Sequence, residues 1–307
     1  MTAVARELKP TTEMGAAYLQ KSLDFCREIT KREAKNFYYG LKLLPEPKRS
    51  AMYALYAYMR LVDDIADDES NGRTVAQRRA DLDQWEQLTR EAIAAAGGAG
   101  EVPRGHILWP AFSEMVGTYR VPLKVFEDMI AGQRQDLEHV AIPDFAALYE
   151  YCYRVASVVG VASLYVWGFE GGEETLKLGV ERGVAFQLTN ILRDLREDSA
   201  RGRCYVPSDE LVRFGVTAEE IGRGVVTPAF ETLMKFQVER AEGFYRRSSP
   251  LESRVQIDSR PTLSAMTGIY HGLLLKIAEN PARALTRRVG LSTWAKLRIA
   301  WRAMRGK

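Results

Sequence analysis

The chain has 307 residues, of which 46% are hydrophobic and 27% charged, with Lys+Arg 43 against Asp+Glu 40. This balance excludes intrinsic disorder, and a formal net charge of +3 gives no broad basic footprint for nucleic acid. Cys26, Cys152 and Cys204 are far apart and odd in number, and His106, His139 and His271 are equally scattered, which argues against a disulfide framework, a zinc knuckle or a Ser-His-Asp triad. No secretory signal is visible, and the longest notable uncharged run, Val155 to Phe169, has fifteen residues. A bilayer span needs about 20, so a cytoplasmic protein is expected.

The elements follow from proline spacing and apolar periodicity. No proline falls between Pro47 and Pro103 or between Pro143 and Pro207, and these stretches are rich in Ala, Leu, Glu, Arg and Gln, a pattern that favours helix. Helices are predicted over roughly 14–34, 47–68, 73–95, 104–118, 122–138, 144–169, 172–198, 227–247, 259–279 and 291–304. Gly97, Gly98 and Gly100 mark a loop, and Gly171-Gly172 is expected to stop one long helix before the next. The stretch 199–226 is expected to be irregular. Alternating Val/Ile/Thr runs are almost absent, so no sheet is expected. With no repeat, low-complexity segment or composition break, one all-α domain over 1–307 is the preferred organisation.

Two polar stripes carry the functional signal. In Tyr56-Ala-Tyr-Met-Arg60-Leu-Val-Asp63-Asp64-Ile-Ala-Asp67-Asp68, Asp63 and Asp67 are four apart and share one helical face with Tyr56 and Arg60. Asp64 and Asp68 pair on the neighbouring face. Like charges at this spacing, and acids at a helix C-terminus, are both unfavourable unless a cation is bound. Further on, Gln187, Asn190, Asp194 and Asp198 are spaced three, four and four along a segment otherwise covered by Phe186, Leu188, Ile191, Leu192 and Leu195. Polar groups in a core-like helix need partners. Oxygen-only donors point to Mg²⁺ or Mn²⁺, which complete their coordination with water and phosphate oxygens. The inference is two acidic stripes facing each other across a helical cavity. An isolated acidic cluster would read as solvated surface; the pair is more specific.

These residues resemble the squalene/phytoene synthase family, and the likeness runs over nearly the whole chain. Lys35-Asn36-Phe37-Tyr38-Tyr39-Gly40 with Leu44-Pro45 is similar to the family's N-terminal segment, and Tyr56 to Asp67 to its first aspartate motif. Tyr151-Cys152-Tyr153-Arg154-Val155-Ala156 with Val159-Gly160 resembles its central helix. Gln187 to Asp198 matches the second aspartate motif, and Arg201 to Pro207 the flap after it. Ala34 and Asn36 stand where the family commonly has serines flanking the basic residue, so two hydroxyl contacts to diphosphate are missing; the Asn36 amide can still donate.

The resemblance implies an isoprenoid synthase helical bundle around an apolar cavity, and head-to-head condensation of two prenyl diphosphates through a cyclopropylcarbinyl diphosphate. It assigns Asp63, Asp67, Asp194 and Asp198, with Asn190, to Mg²⁺ (or Mn²⁺), and Asp64 and Asp68 to flanking positions. Lys35, Asn36, Arg60 and Arg203 would contact the diphosphates, Gln187 would complete the stripe, and Tyr56 and Tyr151 would lie near the reacting carbons. Farnesyl diphosphate is the favoured substrate and geranylgeranyl diphosphate the other; products range from presqualene diphosphate, squalene or dehydrosqualene to phytoene. Squalene formation needs NADPH. No GxGxxG follows a strand, but helical members bind NADPH without one, so this cofactor stays open. A terpene cyclase is disfavoured because the second motif is not of the NSE type. A non-catalytic, membrane-associated scaffold of the family would be expected to lose the carboxylates that this chain keeps.

Two features fall outside that assignment. Small residues in Val155 to Phe169 fit both tight packing and room for a prenyl chain, and Tyr270 fits a core or cavity wall. From Arg283 to Lys307 there are eight Lys/Arg and no Asp/Glu, and Leu291, Trp294, Leu297, Trp301 and Met304 recur at helical spacing. This basic amphipathic segment, 283–307, fits either peripheral contact with an anionic membrane or a terminal helix packed on the domain. Nucleic acid is not an expected partner, and the oligomeric state is not readable.

Overall fold

The computed structural model describes residues 12–34, 37–67, 72–138 and 141–306. In chain order the helices are α1 (Thr12–Glu33), α2 (Phe37–Leu41), α3 (Lys48–Asp67), α4 (Val75–Ala96), α5 (Trp109–Tyr119), α6 (Leu123–Leu137) and α7 (Phe145–Cys152). A π-helical turn, Tyr153–Ser157, joins α7 to α8 (Val158–Trp167). Then come α9 (Gly172–Ala200), α10 (Ser208–Phe214), α11 (Ala218–Gly222), α12 (Pro228–Arg247), α13 (Leu251–Arg254), α14 (Arg260–Glu279), α15 (Arg283–Thr286) and α16 (Thr293–Met304). Among the described residues the sole β-pairing is the bridge between Phe169 and Val255.

Local chemistry sets the helix ends. Thr74 and Gln77 form a reciprocal capping box at the start of α4. Thr227 caps α12, whose first residue, Pro228, has no N–H to satisfy. Three sequence expectations are corrected. The 104–118 helix begins only at Trp109, because Gly105 takes a positive φ of 100°. The stop after α8 is Gly168 (φ 77°), whereas Gly171 and Gly172 open α9. The supposedly irregular 199–226 stretch holds α10 and α11, the second fixed by a Thr217–Glu220 capping box. Both are too short for apolar periodicity to reveal.

The core has two parts. One is built on α3, α5, α6 and α8, where Tyr58 is fully buried, stacks on Phe112 (4.5 Å) and shares a 2.8 Å hydrogen bond with Thr89. The other packs α7, α12 and α14 against α9, whose 29 residues span ~43 Å. Phe37 and Phe186 pack against both parts. Between the two parts lies a cavity bounded by α2, α3, α8, α9, α13 and α14. Its wall depends on close approach of α9 to the π turn. A Cβ at Gly183 would sit 2.4 Å from Ser157 Cα, and backbone cannot move aside cheaply. Gly183→Ala is therefore expected to cost at least about 2 kcal/mol in urea unfolding. Gly160→Ala, where the nearest atom is Gly179 O at 3.4 Å, should be near neutral.

Candidate active site

Two spaces meet between the core halves. The polar one, of about 340 Å³, is lined by Asp63, Asp136, Asn190, Asp194, Asp198 and Arg203 among others, and also by Gln187, Tyr151 and Tyr205. The apolar one, of about 270 Å³, runs between α3, α8 and α9. Asp63, Val155, Gln187 and Asn190 line both, so the two spaces adjoin. A charged head and an apolar tail fit this division.

Helical spacing places the polar side chains. Asp63, near the end of α3, accepts from Gln133 Nε2 on α6 (2.6 Å). On α9, Asn190 Nδ2 donates to Gln187 Oε1 (3.2 Å), while Asn190 Oδ1 is buried without a partner. Arg193 Nε and Nη2 clamp the two oxygens of Asp194 (2.8 and 2.5 Å), and Arg288, beyond α15, reaches Asp194 Oδ1 at 3.2 Å. Burial, and then the Asp194 charge, push the Asp198 carboxyl up to about 7, against the pull of Arg201 and Arg203. Tyr151 and Tyr205 stack at 4.9 Å and both donate to Asp136 (3.4 and 3.3 Å). Their hydroxyls are raised by burial first and the Asp136 charge second; that of Tyr205 is raised to about 12.

An aromatic group stands on the apolar side: Phe37, Tyr56 and Phe186 line that cavity, and Tyr270 is buried against them. Phe186 stacks on Tyr270 (4.6 Å), which lies 5.4 Å from Phe37, itself 6.5 Å from Tyr56. The Tyr270 hydroxyl is raised to about 12 by burial, partly offset by the nearby Arg193 charge.

The structure thus brings Asp63, Tyr151, Gln187, Asn190, Asp194, Asp198 and Arg203 to one chamber, with Tyr56 on the adjoining cavity wall. Arg60 donates instead to Asp64 (2.5 Å) and lines neither space. Asp67 closes α3, and its side chain lies outside the described residues, as do Lys35, Asn36 and Asp68. Sequence reasoning missed Arg193, Asp136, Gln133, Tyr205 and Arg288. A lone arginine between Leu192 and Asp194 on a buried helix was a usable signal. So was the Gln133/Asp136 pair, three apart on the otherwise apolar face of α6.

The donor set suits a hard cation. Among the described residues no three acidic, histidine or cysteine side chains converge closely enough to hold a metal alone. Mg²⁺ characteristically takes one or two carboxylates and completes its octahedron with water and substrate phosphate. An orphaned carbonyl oxygen on Asn190 and a half-buried Asp198, its carboxyl raised to about 7, are the donors such an ion would satisfy.

Helices enclosing an apolar cavity with a carboxylate-rich mouth define an all-α isoprenoid synthase fold, and the comparisons agree. A dehydrosqualene synthase solved in complex with ligand superposes with a TM-score of 0.83 at 28% identity, covering 95% of this chain and 98% of that one. A squalene synthase from Alicyclobacillus acidocaldarius gives 0.77 at 26% identity, over 86% of this chain and 96% of that one. Residues 30–295 match the family model for squalene/phytoene synthase. The 15-cis-phytoene synthase of Synechococcus elongatus is 33% identical over 292 residues, 92% of each chain. The phytoene synthase of Arthrospira platensis is 34% identical over 295 residues, 90% of each. The chain belongs to the squalene/phytoene synthase family. It is a prenyltransferase of the type that condenses prenyl diphosphates head to head.

Proposed function

We propose that the protein joins two geranylgeranyl diphosphates head to head, through a cyclopropylcarbinyl diphosphate, to a phytoene-type C40 product. The observation that carries the reaction type is a carboxylate- and arginine-lined chamber that adjoins an apolar cavity at Asp63, Val155, Gln187 and Asn190. The phytoene synthases among its relatives support the longer substrate. Farnesyl diphosphate is the second reading, favoured by the likeness to a dehydrosqualene synthase and by the bulk of Trp167 on the apolar cavity wall.

In this reading Asp63, Asn190, Asp194 and Asp198 would hold Mg²⁺, with Asp67 four residues beyond Asp63 in sequence, and the ion would supply the positive charge that offsets the departing diphosphate. The allylic C–O bond breaks and its electron pair leaves with oxygen. Arg193 and Arg203 donate to the same phosphate oxygens, turning charge already present in the chamber onto the leaving group. Phe37, Tyr56 and Phe186 line the apolar cavity and offer ring faces to the carbocation, Tyr270 supports Phe186 from behind by stacking on it, and the apolar wall keeps water from the cation. The double bond of the second chain attacks the cationic carbon, and loss of a proton closes the cyclopropane.

The test is incubation of the protein and Mg²⁺ with geranylgeranyl or farnesyl diphosphate, with and without NADPH, followed by mass spectrometry of the extract. A C40 hydrocarbon supports the first reading and a C30 product the second; NADPH dependence would mark a reductive second step. No turnover of either substrate by folded protein would sink both and favour a scaffold.

A pH effect follows from Asp198. Its carboxyl titrates near 7 instead of the usual ~3.9, so below pH 7 a cation must displace a proton. The Mg²⁺ concentration for half-maximal rate is expected to rise about tenfold per pH unit below 7. In EDTA, the wild type pays for a buried charge above pH 7 and for none below about pH 4. Asp198→Asn should therefore raise the melting temperature at pH 8 and leave it unchanged near pH 3.

A further inference from the structure

Among the described residues, the outward face of α16 is the most apolar exposed helix surface. Trp294 is 82% exposed, Met304 56%, Trp301 48% and Leu297 41%. No other helix among the described residues exposes more than one large apolar side chain. Spacings of three, four and three put these four on one stripe, about 80° wide at 100° per residue. Arg298, Arg302 and Arg305 are exposed along one edge of that stripe, and the Arg305 guanidinium lies 3.8 Å over the Trp301 ring.

The opposite face is already used. Ala300 is buried, Ile299 sits where a Cβ on Gly268 would meet it at 2.8 Å, and Leu291 packs over Gly272. Leu291, read from the sequence as part of the apolar stripe, therefore belongs to the inner side, and so does Lys296, whose ammonium is lowered by burial and by the charges of Arg193 and Arg288. The helix is anchored along one side and unpartnered along the other.

We propose that this outward face docks the protein onto an anionic lipid bilayer, with Trp294, Leu297, Trp301 and Met304 at the acyl boundary and Arg298, Arg302 and Arg305 on the headgroups. Aromatic and aliphatic groups beside arginines are the chemistry of an interfacial helix lying in the membrane plane. Anionic headgroups complete the charge pattern. A second copy of the chain does not, because 283–307 contains no acid and face-to-face pairing would set arginine against arginine. No helix among the described residues is long and apolar enough to cross a membrane, so contact is peripheral. α16 packs on α14 and on α2, whose Phe37 and Leu41 line the apolar cavity. Docking here sets lipid beside the element that walls the substrate space; this functional sense deepens the prenyl diphosphate reading, whereas the docking itself is tested without catalysis.

The experiment is co-sedimentation of the full chain with vesicles of phosphatidylcholine alone or mixed with phosphatidylglycerol, at low and high salt. Expected is binding that requires phosphatidylglycerol and weakens with salt. It should fall at least tenfold both in Trp294→Ser/Trp301→Ser and in Arg298→Gln/Arg302→Gln/Arg305→Gln. Circular dichroism, melting temperature and turnover of detergent-dispersed substrate should be unchanged in both variants, since every altered side chain faces outward. Failure of the wild type to bind, equal binding to both vesicle types, or equal binding by the variants would overturn the proposal. So would a concentration-dependent dimer lost in the tryptophan variant without any vesicle binding, which would assign the face to a second copy. An inactive but vesicle-bound protein would sink the catalytic reading and leave the docking standing.

Discussion

Asp194→Asn is expected to lower kcat by about 10³-fold or more while leaving the protein folded. The loss follows from charge. In the proposed reaction a multiply charged anion leaves a carbocation in a space with little water, and preorganised charge is worth several kcal/mol there. Asparagine keeps the shape and one oxygen, so Arg193, only 8% exposed, retains a neutral acceptor and is not stranded. A modest fall in melting temperature is therefore expected, not unfolding. Arg288→Gln is the control. It removes the 3.2 Å contact to Asp194 but keeps the carboxylate, and should cost about tenfold or less. A second readout does not depend on turnover. The Asp194 charge is the next cause after burial of the raised Asp198 carboxyl, so Asp194→Asn should bring that carboxyl down toward its ordinary range. The pH dependence of the melting temperature in EDTA would then shift to lower pH. Asp63→Asn should reproduce the activity loss with a smaller shift, since Asp63 stands on α3 whereas Asp194 lies one turn from Asp198 on α9 and is the largest charge raising it. Turnover of folded Asp194→Asn within tenfold of wild type would remove Asp194 from the machinery.

What the sequence disclosed, and what it hid, divides by range. The long helices were legible because apolar periodicity averages over four or more turns; α3, α9, α12 and α14 fall within two residues of their expected ends. α10 and α11 were not, since seven and five residues carry too few positions for a period and are held by caps and packing. The site divides likewise. Asp63 and the Gln187–Asp198 stripe each lie on one helix, where spacing alone fixes the face. The Asp136 contact to Tyr151 and Tyr205, the Gln133 contact to Asp63 and the reach of Arg288 all join separate elements. Such pairings depend on how helices dock, and one sequence does not encode them locally. The π turn at Tyr153–Ser157 is a similar case: one residue too many in the α7–α8 run, readable only as a shift of face between Tyr151 and Val155, both of which reach the site.

Trp167→Ala is expected to lengthen the accepted prenyl chain. The apolar cavity begins at Val155, shared with the polar chamber, and α8 follows it to Trp167, ~18 Å further along the helix axis at 1.5 Å per residue. On α3 and α9 the lining likewise runs from Asp63 and Asn190 back to Met52 and Gly179, so Trp167 stands at the end opposite the carboxylates. Its backbone is pinned there: Lys48 Nζ and Ser259 Oγ donate to its carbonyl at 2.7 and 3.0 Å. Truncating the side chain should leave that floor in place and open space beneath the chain end. The indole is buried with its Nε1–H unpartnered, so its removal strands no acceptor. The cost is packing alone, up to about 3–5 kcal/mol, and Trp167→Leu offers a milder truncation. Pocket discrimination among apolar homologues runs about 10–200-fold per methylene-sized step. The ratio of kcat/KM for the longer over the shorter of two substrates differing by one isoprene unit is thus expected to rise at least about tenfold. Val159→Ala widens the same cavity near the start of α8 without deepening it and should leave the ratio unchanged. A Trp167→Ala protein that loses stability but keeps the wild-type ratio would place the length limit elsewhere, with Met52, on the same cavity wall, the next side chain to truncate.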